Sequence, residues 1–113
     1  MPEIDENRAK HLKEVMQELP QEELLFELAE LFKIFGDSSR IRILSLLKSE
    51  RLCVNEISYV LNLSQSAISH QLRILRQARL VRYTKIGKEV FYELDDDHIE
   101  KIIKLGLEHI LEL

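Results

Sequence analysis

The sequence predicts a mainly α-helical chain with one small β-hairpin, and three observations carry that prediction. Apolar residues recur at helical spacing through most of the 113 residues. Two short helical stretches near the middle are separated by only a few residues. One later stretch, "LVRYTKIGKEVFYEL", departs from the helical pattern. It holds two runs rich in Val, Tyr, Phe and Thr on either side of Ile86-Gly87-Lys88, which is how a hairpin reads.

Taken in order, residues from about Asp5 to Leu19 predict a polar helix with a thin apolar stripe of Leu12, Val15, Met16 and Leu19. Such a stripe needs a partner to cover it. Pro20 suits the start of a second helix, "PQEELLFELAELFKIFG", and Gly36 suits the left-handed position just past its end. Asp37, Ser38 or Ser39 can cap a third helix, "RIRILSLLKS", which offers Ile41, Ile43, Leu44, Leu46 and Leu47 to a core. "CVNEISYVLNL" predicts a short helix ending near Asn62. "SQSAISHQLRILRQARLV" follows after a tight turn, with Ser64 as its N-cap. The hairpin comes next, and a closing helix runs from Asp96. This order predicts a winged helix-turn-helix with additional N- and C-terminal helices, as a single domain over 1–113. The helix-turn-helix covers about 53–80, the wing about 81–94 and the closing helix about 96–113.

Composition narrows the function class. The chain is 45% hydrophobic and 32% charged, as globular proteins are, and no apolar run reaches the roughly 20 residues that span a bilayer. The acidic, polar "MPEIDENRAK" is no signal or transit peptide. A single cysteine, Cys53, excludes an internal disulfide and fits a reducing cytoplasm. The net charge of −4 alone argues against nucleic acid, but its distribution does not. From Ser64 to Tyr92 the bases are Arg73, Arg76, Arg79, Arg82, Lys85 and Lys88, against the one acid Glu89. That is an electrostatic footprint which the average conceals.

Turned at 100° per residue, the second helix of the pair sorts Ala67, Ile68, Leu72, Ile74, Leu75 and Ala78 onto one arc. Ser66, Ser69, His70, Arg73, Arg76 and Gln77 fall on the opposite arc, which has no acid. Small hydroxyls allow close approach to base edges, and Gln and Arg can pair bidentately with purines in the major groove. N-terminal residues of such a helix make the base contacts. The candidates for double-stranded DNA are therefore Ser64, Gln65, Ser66, Ser69 and His70, with Arg73 near phosphates and Lys85 and Lys88 at the wing tip on backbone or minor groove. A merely solvated face would explain the polarity, but not the missing acids, the short turn and the basic hairpin together.

The pieces "RIRIL.LL", "LCV.EI...L.LSQSA.SHQL..L..A.LV" and the "G....Y.L" of the wing closely resemble the ArsR/SmtB family of bacterial metal-responsive repressors. The resemblance covers nearly the whole chain. It implies that the terminal helices are dimerisation helices. It also implies a homodimer that occupies an imperfect inverted repeat and leaves it when an effector binds.

The closing helix carries two histidines that point the same way. Eleven residues separate His98 from His109, so they lie within ~20° in angle but roughly 16 Å apart along the axis. One helix cannot bring both to one ion. Two copies packed antiparallel about a dyad can, because the start of each meets the end of the other. Asp96 and His98 of one chain with His109 and Glu112 of the other would give a four-ligand zinc site, twice per dimer. The pattern D-x-H followed by H-x-x-E resembles the C-terminal-helix site of the family's zinc sensors at all four positions. The resemblance further implies that the second nitrogen of His109 reaches a backbone carbonyl near Arg79. Asp95, Asp96 and Asp97 also suit a helix start, and Asp97 with Glu100 could form a capping box, which would account for the aspartates without a metal.

The family's thiolate sensors carry C-x-C in the first helix of the pair. Here Asn55 stands where the second cysteine would be, so Cys53 has only Glu56 and His11 as companions for a residual site. Cobalt or nickel at the closing-helix ligands, or oxidation of Cys53, remain alternative inputs. A hydrolase is disfavoured by four candidate ligands instead of three and by the lack of H-E-x-x-H.

Overall fold

The computed structural model describes residues 3–112. The chain divides into two compact units, Met1–Glu30 and Leu31–Leu113; Leu113, the end of the expected closing helix, lies outside the described residues. In the first unit α1 (Glu6–Gln17) starts where Asp5 accepts a hydrogen bond from the Arg8 N–H at 2.8 Å. Its stripe is largely open: Leu12 is half-buried, while Val15, Met16 and Leu19 are exposed. Helix α2 (Glu22–Phe35) begins there and ends in the second unit. It does not start at Pro20. The Gln21 carbonyl accepts from the amides of Leu24 and Leu25, so Gln21 is the cap and Pro20 precedes it.

The second unit holds α3 (Ser38–Leu47), β1 (Leu52–Cys53), α4 (Val54–Leu61), α5 (Gln65–Gln77), β2 (Val81–Ile86), β3 (Glu89–Leu94) and α6 (Asp97–Leu111). Asp37 caps α3 by accepting from the Arg40 N–H at 3.0 Å. Gly36 ends α2 but does not take the expected left-handed conformation. Its amide closes a tight turn on the Lys33 carbonyl, and a Cβ there would lie 3.3 Å from that same oxygen. What glycine relieves here is a tight approach to that oxygen, not a left-handed conformation.

The left-handed positions fall elsewhere. Asn62 (φ 54°) ends α4 and Arg79 (φ 60°) ends α5. After each, the next amide reaches back five residues: Leu63 N–H to the Ser58 carbonyl, and Leu80 N–H to the Leu75 carbonyl at 2.9 Å. Both helices of the pair thus close with the same motif, which satisfies carbonyls that would otherwise be orphaned. Asparagine tolerates this conformation; arginine bears a cost there.

The wing is larger than a hairpin. Strands β2 and β3 pair antiparallel from Val81↔Leu94 to Ile86↔Glu89, and β1 adds to the other edge of β3 through Leu52↔Tyr92 and Cys53↔Phe91. Cys53 therefore ends a strand and caps α4 instead of lying inside that helix. Gly87 begins the two-residue turn at φ 63°, as a type II′ hairpin requires. The result is a winged helix-turn-helix.

The core gathers Ile43, Leu44 and Leu47 of α3, Leu52, Ile57, the α5 stripe Ile68, Leu72 and Leu75, then Leu80, Val81 and Ile99. Ile41 and Leu46, offered to the core by their spacing, are only half-buried. Among the described residues no helix is long and apolar enough to cross a membrane. Leu75 is fully buried, so Leu75→Ala should cost about 3 kcal/mol through reduced burial and a residual cavity. Urea denaturation would measure it.

Candidate nucleic-acid interface and metal centre

The α5 core stripe fixes which residues face outward. Ser66, Ser69, His70, Arg73, Arg76 and Gln77 are all exposed, while Ile68, Leu72 and Leu75 are buried. Ser64 caps the helix, accepting from the Ala67 N–H at 3.1 Å, and its Oγ lies 3.2 Å from that of Ser66. Lys85 near the end of β2 and Lys88 in the turn are exposed at the wing tip. All eight DNA candidates, Ser64, Gln65, Ser66, Ser69, His70, Arg73, Lys85 and Lys88, are therefore solvent-facing.

Three side-chain contacts around this helix have no counterpart in the sequence pattern. Gln65 Nε2 donates to Asn55 Oδ1 at 2.8 Å, crossing the turn between the paired helices. Arg76 lies 4.0 Å over the Tyr83 ring and donates to its hydroxyl at 3.2 Å, so it faces β2. With Ser69, Leu72, Arg73, Gln77 and Tyr92 it lines a cleft between helix and wing. The third contact is Arg40, whose guanidinium donates to the Ile34 carbonyl at 2.8 Å, the Lys33 carbonyl at 3.4 Å and Gln71 Oε1 at 3.1 Å. Two carbonyls ending α2 and the half-buried face of α5 thus share one cation. A residue spacing of 31 between Arg40 and Gln71 leaves no signal in the sequence.

The closing helix holds the four candidate ligands at its two ends. Asp96 is the N-cap, accepting from the His98 N–H at 2.8 Å, and His98 Nδ1 lies 3.2 Å from the same carboxylate oxygen. Asp97 does not cap with Glu100. It pairs with Lys101 at 3.1 Å, and that hydrogen bond and charge hold its carboxyl below the ordinary value. Among the described residues, Asp96, Asp97 and His98 form the cluster with three potential ligand atoms within 4.8 Å of one another. His109 is exposed in the last turn and Glu112 follows as the C-cap. Fifteen helical residues, about 22 Å, lie between the two ends. Within one chain the four candidate ligands are two pairs, not one site.

Cys53 is half-buried, and its amide donates to the Glu56 carboxylate at 3.0 Å. That bond keeps Glu56 below its ordinary pKa. His11 contacts Glu14 at 3.9 Å within its own helix.

The description "Bacterial regulatory protein, arsR family" matches residues 37–83, the stretch from the α3 cap into β2. A transcriptional repressor SmtB homolog from Synechocystis is 39% identical over 90% of this chain and 80% of that protein. The chain belongs to the ArsR family. A second member, the cadmium resistance transcriptional regulatory protein CadC homolog of Staphylococcus aureus, is 32% identical over 95% of this chain and 84% of its own length. The crystal structure of the AntR antimony-specific transcriptional repressor superposes with a TM-score of 0.75 at 29% identity, covering 84% of this chain and 86% of that one. This ArsR-family chain is a DNA-binding transcriptional regulator and not an enzyme.

Two outcomes follow from the local chemistry. Arg40→Ala should lower stability by about 2 kcal/mol, since charged hydrogen bonds disappear and a partly buried Gln71 is left without its donor; urea titration at neutral pH reads this. A carboxyl whose folded pKa is depressed stabilises the fold above its unfolded value and loses that contribution as pH falls through the folded one. NMR titration of the Glu56 carboxyl should accordingly give a midpoint below 4.5.

Proposed function

We propose that the chain is a homodimeric, metal-responsive repressor of the cytoplasm. It occupies an inverted-repeat operator when free of metal and leaves it when zinc is held between protomers. The observation that carries this reading is the placement of Asp96 and His98 at one end of α6 and His109 and Glu112 at the other, all exposed. Two imidazoles and two carboxylates suit zinc in donor chemistry and number. The names of the relatives, which speak of repression, cadmium and antimony, support a metal-responsive input. Cadmium and antimony favour several thiolates, and this chain offers Cys53 alone.

A second copy is also what the exposed apolar surface calls for. On α6, Leu105, Leu107, Ile110 and Leu111 are each more than half exposed, and Met16 of α1 and Leu19 just beyond it are equally open. Large apolar side chains left exposed in this number mark an interface. Antiparallel α6 helices about a dyad bury it and bring opposite ends together.

On DNA, Gln65, Ser66, Ser69 and His70 read base edges, Arg73 meets phosphates, and Lys85 and Lys88 add wing contacts. When bound, zinc supplies a link between the two closing helices. The chain's own residues do the rest: each α6 is rooted in the core through Ile99, so fixing one against the other fixes the spacing of the two α5 helices. Release requires that the metal prefer one dimer shape over the other.

Fluorescence anisotropy of labelled promoter duplex should show binding by the apo protein, loss on adding zinc and recovery with chelator, with His98→Ala and His109→Ala binding DNA but ignoring zinc. The shared site has a sharper check. A protein lacking Asp96 and His98 and one lacking His109 and Glu112 should each fail to bind zinc, whereas their mixed dimers regain one intact site. Zinc binding by either parent alone would contradict the shared arrangement. Arg73→Ala should weaken binding to all duplexes alike and flatten the slope of log K against log salt by about 0.9 for each phosphate it no longer neutralises.

A further inference from the structure

We propose that Asn55 is a specificity-determining residue for DNA. It would hold the Gln65 carboxamide so that Gln65 reads adenine and rejects guanine. This rests on the reading of α5 as the base-contacting helix.

The reasoning begins with the number of hydrogen bonds a carboxamide can make. Gln65 has two N–H donors on Nε2 and one acceptor oxygen. Nε2 donates to Asn55 Oδ1 at 2.8 Å, which engages one donor and fixes which way round the amide sits. One N–H and Oε1 remain, a donor beside an acceptor. Adenine presents the complement in the major groove, the N7 acceptor beside the N6 donor. Guanine presents two acceptors, N7 and O6, and Oε1 would face one of them unpaired. A carboxamide without Asn55 can rotate and offer both N–H groups to guanine. The bond to Asn55 removes that option.

The setting favours this role. Gln65 is the first residue of α5, in the N-terminal part that lies against base edges. Asn55 is in the first turn of α4 and exposed, so its side chain is not required by the core. Its neighbours Val54 and Ile57 provide the packing there. An asparagine in this place is also weaker than most residues as a helix former, which local structure alone does not explain.

The test uses the full-length apo protein and a duplex library with two randomised half-sites. The wild type should enrich an inverted repeat, and Gln65→Ala should identify the base pair whose preference depends on Gln65. At that pair the wild type should favour adenine over guanine. Asn55→Leu, which keeps side-chain size but has no acceptor, should lower that ratio by at least about fivefold, with other positions and the salt slope unchanged. Asn55→Asp retains an acceptor oxygen for Gln65 and should keep the adenine preference, even if its charge weakens binding to every duplex. An unaltered ratio in Asn55→Leu, or a preference that vanishes equally in Asn55→Asp, would overturn the assignment while leaving DNA recognition by α5 intact. A Gln65→Ala variant with unchanged preferences would overturn it too. Failure of the wild type to enrich any sequence would remove the underlying reading as well. Thermal melts of the three variants matching the wild type would exclude misfolding as the cause.

Discussion

Recognition helix α5 is anchored in the core along one stripe, by Ile68, Leu72 and Leu75. Those three residues recur at four and three, so a single stripe is apolar and the rest of the circumference is left to polar groups. Everything the helix presents outward depends on that restriction. A second buried stripe would have removed Ser66, His70 or Arg73 from the surface. The surrounding parts then serve to set where this helix starts, stops and points: Ser64 at its beginning, the left-handed Arg79 at its end, and Arg40 through Gln71 on its flank.

Much of this is readable because it is periodic. The outward and inward faces of α5, the caps Asp5, Asp37 and Ser64, and the strand pair about Gly87 each follow from short-range rules about spacing, capping and turn chemistry. What escapes depends on residues distant in sequence or on strands too short to show a pattern. Strand β1 has two residues, and no alternation can be seen in two. Its existence is decided by the open edge of β3. General preference places Pro20 at a helix start and Gly36 in a left-handed cap, and in each case a neighbouring carbonyl decides otherwise, that of Gln21 and that of Lys33.

The candidate sites divide along the same line. Residue types and faces are readable, so every expected DNA contact is on the surface. Side-chain partnerships are not: Gln65 with Asn55 and Arg76 with Tyr83 cross between elements. The ligand pairs of α6 are intermediate. Their separation can be counted from the chain, and the His98–Asp96 contact follows from helix-start geometry. Whether the two ends meet depends on a second chain, which no local rule describes.

At Gly87 a Cβ would meet no atom within 4 Å apart from its own chain neighbours. Of strand β2 only Val81, at the end away from the turn, is buried, so the tip of the wing contributes nothing to the core. Lysines can be added at exposed positions of β2 near the tip without repacking the core. In the proposed function, sequence discrimination belongs to α5 and general attraction to phosphate belongs partly to the wing. An ancestor or an engineer could therefore adjust how strongly the protein holds DNA without changing which sequence it prefers.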